Sequence, residues 1–289
     1  MASVIQYAKR YVPLLDEVYK ASAKSGILDS SDMVRAGANV NEIVIPKIDM
    51  DGLADYDRNK GYEPGDNSIV WETVTFNYER GRIFTVDNMD NEETVNLAFG
   101  RLAGEFVRTK AAPELDAFRF AYLASETGIN TVEANLTSGA QVIGALRDVA
   151  NTMDEKEVPE DSRILFITPT LRGMIDDMDT YKSQKVTARF SQMITVPQSR
   201  FYTKVKLNDG KTAGEEAGGY VKAADAKDIN FLAVRKEAII QYTKHLAPKI
   251  ITPAENQDAD AWKFGYRIYG IIRTYENKRD AIFCSHASA

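Results

Sequence analysis

Hydrophobic and polar positions alternate with a period of two from Ile69 to Glu79. Val70, Val74, Phe76 and Tyr78 fall on one side, with Glu72 the one polar residue among them, and Trp71, Thr73, Thr75, Asn77 and Glu79 fall on the other. That is the pattern of a half-buried strand. Val44 to Ile48 forms a shorter partner, and Pro46 inside it predicts an edge. Between the two lies the stretch from Asp51 to Asp66, too polar and too rich in turn residues to bury itself. A connection beyond about 12 residues in a compact domain usually has a function of its own. The pattern therefore predicts an extended hairpin, Ile43 to Val86, that projects and needs a partner.

A helix follows. Asp90 stands as its expected N-cap with Glu93 three residues on, and Glu92 adds acid where the helix dipole welcomes it. Val95, Phe99, Leu102 and Phe106 make one apolar stripe, which resumes beyond Pro113 with Leu115, Phe118 and Tyr122. A helix from Asn91 to about Leu123 would span roughly 50 Å at ~1.5 Å per residue, with Pro113 kinking or splitting it. An over-long helix joined to a projecting hairpin suits a subunit of a larger assembly.

The flanking regions read differently. Tyr7, Tyr11, Leu14, Leu15 and Val18 recur at helical steps interrupted by Pro13, so residues 1–40 form either an arm reaching a neighbour or a helix packed on its own domain. Residues 131–235 read as an α/β lobe. Ser138 with Gln141 makes a second capping box before the stripe Val142, Leu146, Val149 and Met153. Arg163 to Ile167 is a short buried strand, and Thr168-Pro169 opens a helix to about Met178. Thr187 to Val196 is expected to be extended or irregular, and Asn208 to Gly219 a mobile surface loop. Strands return at Phe231 to Val234, Ala238 to Tyr242 and Trp262 to about Tyr275, the last with Gly270 marking a bulge or bend. The class is α+β.

Composition changes the picture mainly by exclusion. At 289 residues, 44% hydrophobic and 27% charged, the chain is one large globular domain or two smaller ones. Its start lacks the apolar core of a signal peptide, and no run approaches the ~18 apolar residues of a membrane span. The single cysteine, Cys284, excludes an internal disulfide and reads as a small buried hydrophobe made in a reducing cytoplasm. A net charge of −6 argues against a sequence-reading DNA-binding protein, which would present a basic face.

The catalytic inventory is thin. His245 and His286 are isolated, with no Cys or His partner at metal-ligand spacing, and no nucleophile elbow or phosphate-binding glycine loop occurs. Asp55, Asp57 and Asn59 with Asp66 mimic a calcium loop. However, the required glycine sits one place late at Gly61, strands flank the loop, and the last ligand is Asp instead of a bidentate Glu. Asp176, Asp177 and Asp179 more simply close a surface helix. Arg80-Gly81-Arg82 offers a phosphate grip, but it also reads as an ordinary turn beside a strand. No cofactor or metal is expected.

A family resemblance enters here. The run Arg82 to Thr94, then Glu105, Phe106 and Arg108, then Pro113, Glu114, Asp116, Phe118 and Arg119 resembles the major capsid protein of tailed bacteriophages. So do Asn41 to Lys47, Gly52 to Arg58 and Trp262 to Tyr269, and the likeness covers nearly the whole chain in order. The resemblance implies the fold named for phage Hong Kong 97. Its parts would be an N-terminal arm (1–40), an E-loop hairpin (41–90), a P-domain with a long spine helix (91–130 and 236–275) and an A-domain (131–235 and 276–289). It further implies no enzyme activity, self-assembly into hexamers and pentamers, and an icosahedral shell around double-stranded DNA held without sequence-specific contacts. Assembly in the bacterial host cytoplasm would give a virion capsid with no membrane contact, in company with a portal and decoration proteins. A mildly acidic lining suits such a container, because a basic one would trap the polyanion.

In the resemblance, Asp55, Asp57, Arg58, Lys60, Tyr62 and Asp66 at the hairpin tip, with Arg80 and Arg82 at its base, would meet neighbouring subunits. Some relatives crosslink an E-loop lysine to a P-domain asparagine. Lys60 would supply the first, but Trp262-Lys263-Phe264 stand where the asparagine is expected, so cohesion is expected to be non-covalent. Forty residues cannot hold the large cleaved scaffolding domain of other relatives, so either such a domain has been removed or a separate scaffolding protein guides assembly, the second being the expectation. Two alternatives remain: an encapsulin-like compartment that encloses an enzyme, and an α/β enzyme with an unrecognised site.

Overall fold

The computed structural model describes residues 23–29, 35–36, 42–56, 58–59, 61–93, 97–178 and 180–288. β1 (Arg35–Ala36), β2 (Glu42–Met50) and β3 (Asn67–Thr75) form a three-stranded antiparallel sheet in the order β1-β2-β3. Among the described residues β1 pairs with β2 at Ile43 and Val44, and Pro46 of β2 stands opposite Trp71 of β3.

The single strand expected over Ile69 to Glu79 is in fact two. Phe76 and Asn77 interrupt it, and Tyr78 begins β4 (Tyr78–Asp87) in a different sheet. Asn77 bridges the gap: its side-chain amide donates to the Ile272 carbonyl at 2.9 Å and its side-chain oxygen accepts the Ile272 N–H at 3.1 Å. One side chain thus replaces a rung of backbone pairing where the chain changes sheets.

The helix begins earlier than the acidic spacing suggests. α1 (Asn88–Glu93) follows β4 directly, and Asp87, not Asp90, takes the capping role by accepting the Met89 N–H at 2.9 Å. Beyond it run α2 (Leu97–Phe106), a π-helical turn (Val107–Ala111) and α3 (Ala112–Ser125). The expected break at Pro113 is absorbed by that widened turn. The Ala112 N–H reaches back five residues to Val107, and Pro113 sits at the start of α3, where a missing N–H is tolerated.

The remaining elements are β5 (Asn130–Glu133), α4 (Gly139–Glu155), β6 (Arg163–Ile167), α5 (Pro169–Asp176), α6 (Tyr181–Thr187), β7 (Gln192–Thr195), β8 (Val205–Leu207), β9 (Tyr220–Lys222), β10 (Ile229–Arg235), β11 (Ile239–Ile251), β12 (Ala261–Thr274) and β13 (Ile282–His286). Five of the strands make a mixed sheet in the order β5-β13-β10-β6-β7, and β8 pairs with β9 as a small hairpin. β6 is buried along its whole length because helices cover both faces. Leu165 and Ile167 pack with Val142, Leu146, Val149 and Met153 of α4, as the stripe predicts. Ile164 and Phe166 pack on the other face with Phe120 and Leu123 of α3.

β11, β12 and β4 form a third antiparallel sheet. β11 runs nine residues beyond the expected end at Tyr242. The irregularity anticipated at Gly270 lies in the strand opposite, where the register slips between Thr243 and His245. A Cβ on Gly270 would sit 3.1 Å from the Tyr242 carbonyl, so glycine is what lets the bulge close. Phe264, Tyr266 and Ile268 of β12 pack against Val107, Ala111 and Leu115, placing the long helix across this sheet too.

Candidate interaction surface

β2 and β3 leave the body of the protein almost unaccompanied. Only the root is covered: Ile43 and Val74 pack with Ile240 and Ile271, and Phe76 stacks on Tyr269 at 4.5 Å between ring centres. Outward from there, Val74 is the one buried residue of β3. Val70 is 57% and Trp71 50% exposed although they face opposite ways, so the period-two pattern finds no core to serve among the described residues. Met50, Leu53 and Ile69 are exposed as well. An apolar array of this kind on a single chain marks a surface to be covered by something else.

At the tip, Asp55, Arg58, Tyr62 and Asp66 are all exposed, whereas Asp57 and Lys60 lie outside the described residues. Asp51 closes the loop: its N–H donates to the Asp66 carbonyl at 3.1 Å and its carboxylate accepts the Asp66 N–H at 2.8 Å. Tyr56 and Tyr62 meet edge to face at 4.9 Å, with Tyr62 89% exposed. Among the described residues no group of three acidic, histidine or cysteine side chains is placed to hold a metal.

The base of the hairpin is held differently. Arg80 donates to Glu114 at 2.7 Å, and Tyr78 adds its hydroxyl to the same carboxylate at 3.2 Å. A second Arg80 nitrogen donates to the Asn208 carbonyl at 2.7 Å, and Arg82 donates to the Glu216 carbonyl at 2.9 Å. The two arginines expected at intersubunit salt bridges thus have partners inside the chain. The pairing ties β4 to the start of α3 and to the loop between β8 and β9. The sequence offered Glu114 only as part of the family resemblance and not as the partner of Arg80, because the two lie 34 residues apart with no periodic relation.

That loop, expected to be mobile, is heavily cross-braced. The Asp209 carboxylate accepts the Thr212 N–H, the Thr212 hydroxyl and the Lys211 N–H, which together pull its pKa down to about 2. Lys206 pairs with Glu215, raising the lysine and lowering the acid. Positive φ at Gly210, Gly214, Gly218 and Gly219 lets the chain turn this tightly.

Elsewhere the polar groups read as structure. Asp116, fully buried, accepts the N–H groups of Lys24 and Ser25, the Ser25 hydroxyl and the Arg200 guanidinium. Buried Arg119 reaches Ser25, Asp29 and Thr243, so this network pins residues 24–29 to α3 and β11. Cys284 is buried in β13, and burial pushes its thiol up to about 12, outside any nucleophilic range. His286 is buried, with Nδ1 3.0 Å from the Ala287 carbonyl; the side chain of His245 is not described. Asn256, in the turn before β12, spends its side chain on the Ala261 carbonyl and the Asp258 N–H.

No family model and no curated protein matches the sequence. Solved structures do match by shape. A structure of Gordonia phage Cozz superposes with a TM-score of 0.60 at 14% identity, covering 93% of this chain and 87% of that one. The virus-like particle from Pyrococcus furiosus gives 0.59 at 11% identity over 96% and 99% of the two chains. The capsid of Cyanophage P-SCSP1u gives 0.56 at 13% identity over 90% and 86%. The agreement covers nearly the full length of both chains in each case. The fold of this α+β chain is the fold of bacteriophage capsid proteins.

Proposed function

We propose that this chain is a major capsid protein. It assembles with copies of itself into hexamers and pentamers that close an icosahedral shell around double-stranded phage DNA. The observation that carries this reading is the hairpin, which exposes Met50, Val70 and Trp71 while β6 and β13 of the five-stranded sheet are buried along their whole length. Repeated over many subunits, such a contact gives a closed shell even where each copy of it is weak. In this reading residues 1–40 are the arm, 41–90 the E-loop, 91–130 with 236–275 the P-domain, and 131–235 with 276–289 the A-domain. The tip residues Asp55, Asp57, Arg58, Lys60, Tyr62 and Asp66 meet a neighbouring subunit. Arg80 and Arg82 hold the base from which they project.

The subunit is made and assembled in the host cytoplasm, guided by a separate scaffolding protein and completed by a portal and decoration proteins. No catalytic role is proposed, and among the described residues no helix is long and apolar enough to cross a membrane. Negative-stain electron microscopy with light scattering tests the reading. Rings or shells are expected, and a strictly monomeric protein, with or without its scaffold, would overturn it.

One observation favours a second reading, an encapsulin-like compartment: the Pyrococcus furiosus particle is covered over 99% of its chain. Contents distinguish the two. Nuclease-protected DNA supports the capsid, and a co-purified enzyme supports the compartment.

A further inference from the structure

Arg80-Gly81-Arg82 reads in sequence as a phosphate grip, and the fold gives its two arginines different fates. Arg80 is spent inside the chain, on Glu114 and the Asn208 carbonyl. Arg82 is exposed and donates one guanidinium nitrogen to the Glu216 carbonyl, with no carboxylate partner among the described residues. Its other terminal nitrogen lies against Gly210 and Gly218, where a Cβ would come within 3.3 and 2.9 Å of it. Two glycines at positive φ thus let the braced β8–β9 loop close on this side chain and hold its charge in place.

Arg82 lines a groove of about 830 Å³ between β4, the π-turn and the β8–β9 hairpin, a size usual for a small-molecule site. Exposed Lys110 adds a second cation with no carboxylate partner among the described residues. The two acids of the wall are committed elsewhere. Glu114 is taken by Arg80 and the Tyr78 hydroxyl, and Asp209 accepts three hydrogen bonds from its own loop. The half-buried rings of Phe84, Tyr202 and Tyr220 line the same groove. In a chain of net charge −6, such a pair of cations beside aromatic rings is a local exception.

We infer that the groove holds a nucleotide unit, its phosphate on Arg82 and Lys110 and its base against the tyrosine rings. Cations grip any phosphate, and every base has a face that stacks on an aromatic ring, so the site reads no sequence. A carboxylate ligand would use the cations and leave the rings idle. A free nucleotide and one unit of a nucleic-acid strand share this chemistry, and the experiment tells them apart. Every lining residue belongs to one chain, so binding does not depend on self-assembly.

Two probes are offered to the whole chain at low salt: a fluorescein-labelled deoxythymidine decamer, followed by anisotropy, and ADP, followed by calorimetry. Binding of the decamer alone assigns the groove to a strand, and binding of ADP assigns it to a free nucleotide. Arg82→Ala with Lys110→Ala should weaken whichever binds by at least about tenfold. For the decamer it should also flatten the log–log salt dependence by about 1.4, the share of two phosphate contacts on a single strand. Lys110→Ala alone, at an exposed position, should give about half that flattening and serves if the double variant fails to fold. Tyr202→Leu should weaken both probes and leave inorganic tripolyphosphate unaffected. Lys182→Ala with Lys185→Ala, exposed on α6 and outside the groove's lining, should change nothing. A wild type that binds neither probe overturns the inference. Equal weakening by the α6 pair means diffuse charge attraction, and indifference to Tyr202→Leu means a bare anion site; either overturns it. A glutamate decapeptide bound more tightly than both probes means an acidic protein partner, and overturns it too.

Discussion

Deleting Asp55 to Asp66 and joining Ala54 to Asn67 separates assembly from folding, and the structure sets the expected size of each effect. The segment's described side chains are nearly all exposed, so its removal returns almost no apolar area to water. What is lost is the pair of hydrogen bonds between Asp51 and Asp66 and the Tyr56–Tyr62 ring contact. Solvent-exposed interactions of these kinds are worth about 0.5–1.5 kcal/mol each at most. Against this, the loop between Met50 and Asn67 shrinks from 16 residues to four. Two halvings of loop length recover about 1.2 kcal/mol of closure entropy. The net cost is no more than about 3.3 kcal/mol, which at roughly 2–4 °C per kcal/mol keeps the melting temperature within about 13 °C. The same deletion removes one contact from every subunit, so rings and shells should vanish. Thermal melting by circular dichroism reads the first effect, and light scattering with electron microscopy reads the second. Normal shells from the deleted chain would refute the hairpin's role in assembly. A melt lowered as far as that of a Phe264→Ala core variant would show that the tip belongs to the subunit's own core.

Further expectations follow from other sites. Mature particles on a denaturing gel should run as a single band near 32.2 kDa, since Trp262-Lys263-Phe264 stand where the crosslinking asparagine would be expected; a ladder of covalent multimers would contradict non-covalent cohesion. Asp116→Ala removes the acceptor of a buried guanidinium contact and two backbone N–H groups, so urea unfolding of the unassembled subunit should lose about 3–5 kcal/mol. The Asp209 carboxylate, lowered to about 2 from 3.8 in the folded loop, contributes stability that is complete above pH 3.8 and lost as pH falls through 2. Its NMR titration should therefore have a midpoint near 2, and a midpoint near 3.8 would mean that the loop's cross-bracing is absent in solution.

Where the local pattern had a core to serve, the sequence was readable. The α4 stripe, the fully buried β6 and the cap at Ser138 follow from neighbours a few residues away. Even there the reciprocal half of the cap moved by one residue, with Gln141 accepting from Thr137 instead of Ser138. The α+β class was legible for the same reason. β3 shows the limit of such reading: its alternation is genuine, but among the described residues nothing covers either face beyond Val74, so period alone misjudged its burial. The break at Asn77 was hidden because Tyr78 continues the alternation into another sheet. Asp90 looked like a cap because the acidic spacing fitted, yet Asp87 already occupied the turn between β4 and α1. The exposure of the described tip residues was visible from the segment's polarity and length. The partners of Arg80 were not, since Glu114 and Asn208 come together only through tertiary packing.

The π-turn at Val107–Ala111 also says where this chain tolerates a change of length. A helix advances about 100° per residue, so an insertion or deletion there turns everything downstream by nearly a third of a revolution. Ala103 and Val107 serve one core and Phe120 and Leu123 another, so the two halves must keep a fixed angular phase. Related sequences should therefore vary freely in length between Asp51 and Asp66 and hold their spacing from Ala103 to Leu123. The two ends of one continuous segment would then evolve under opposite rules, the tip by insertion and loss and the joint by substitution alone.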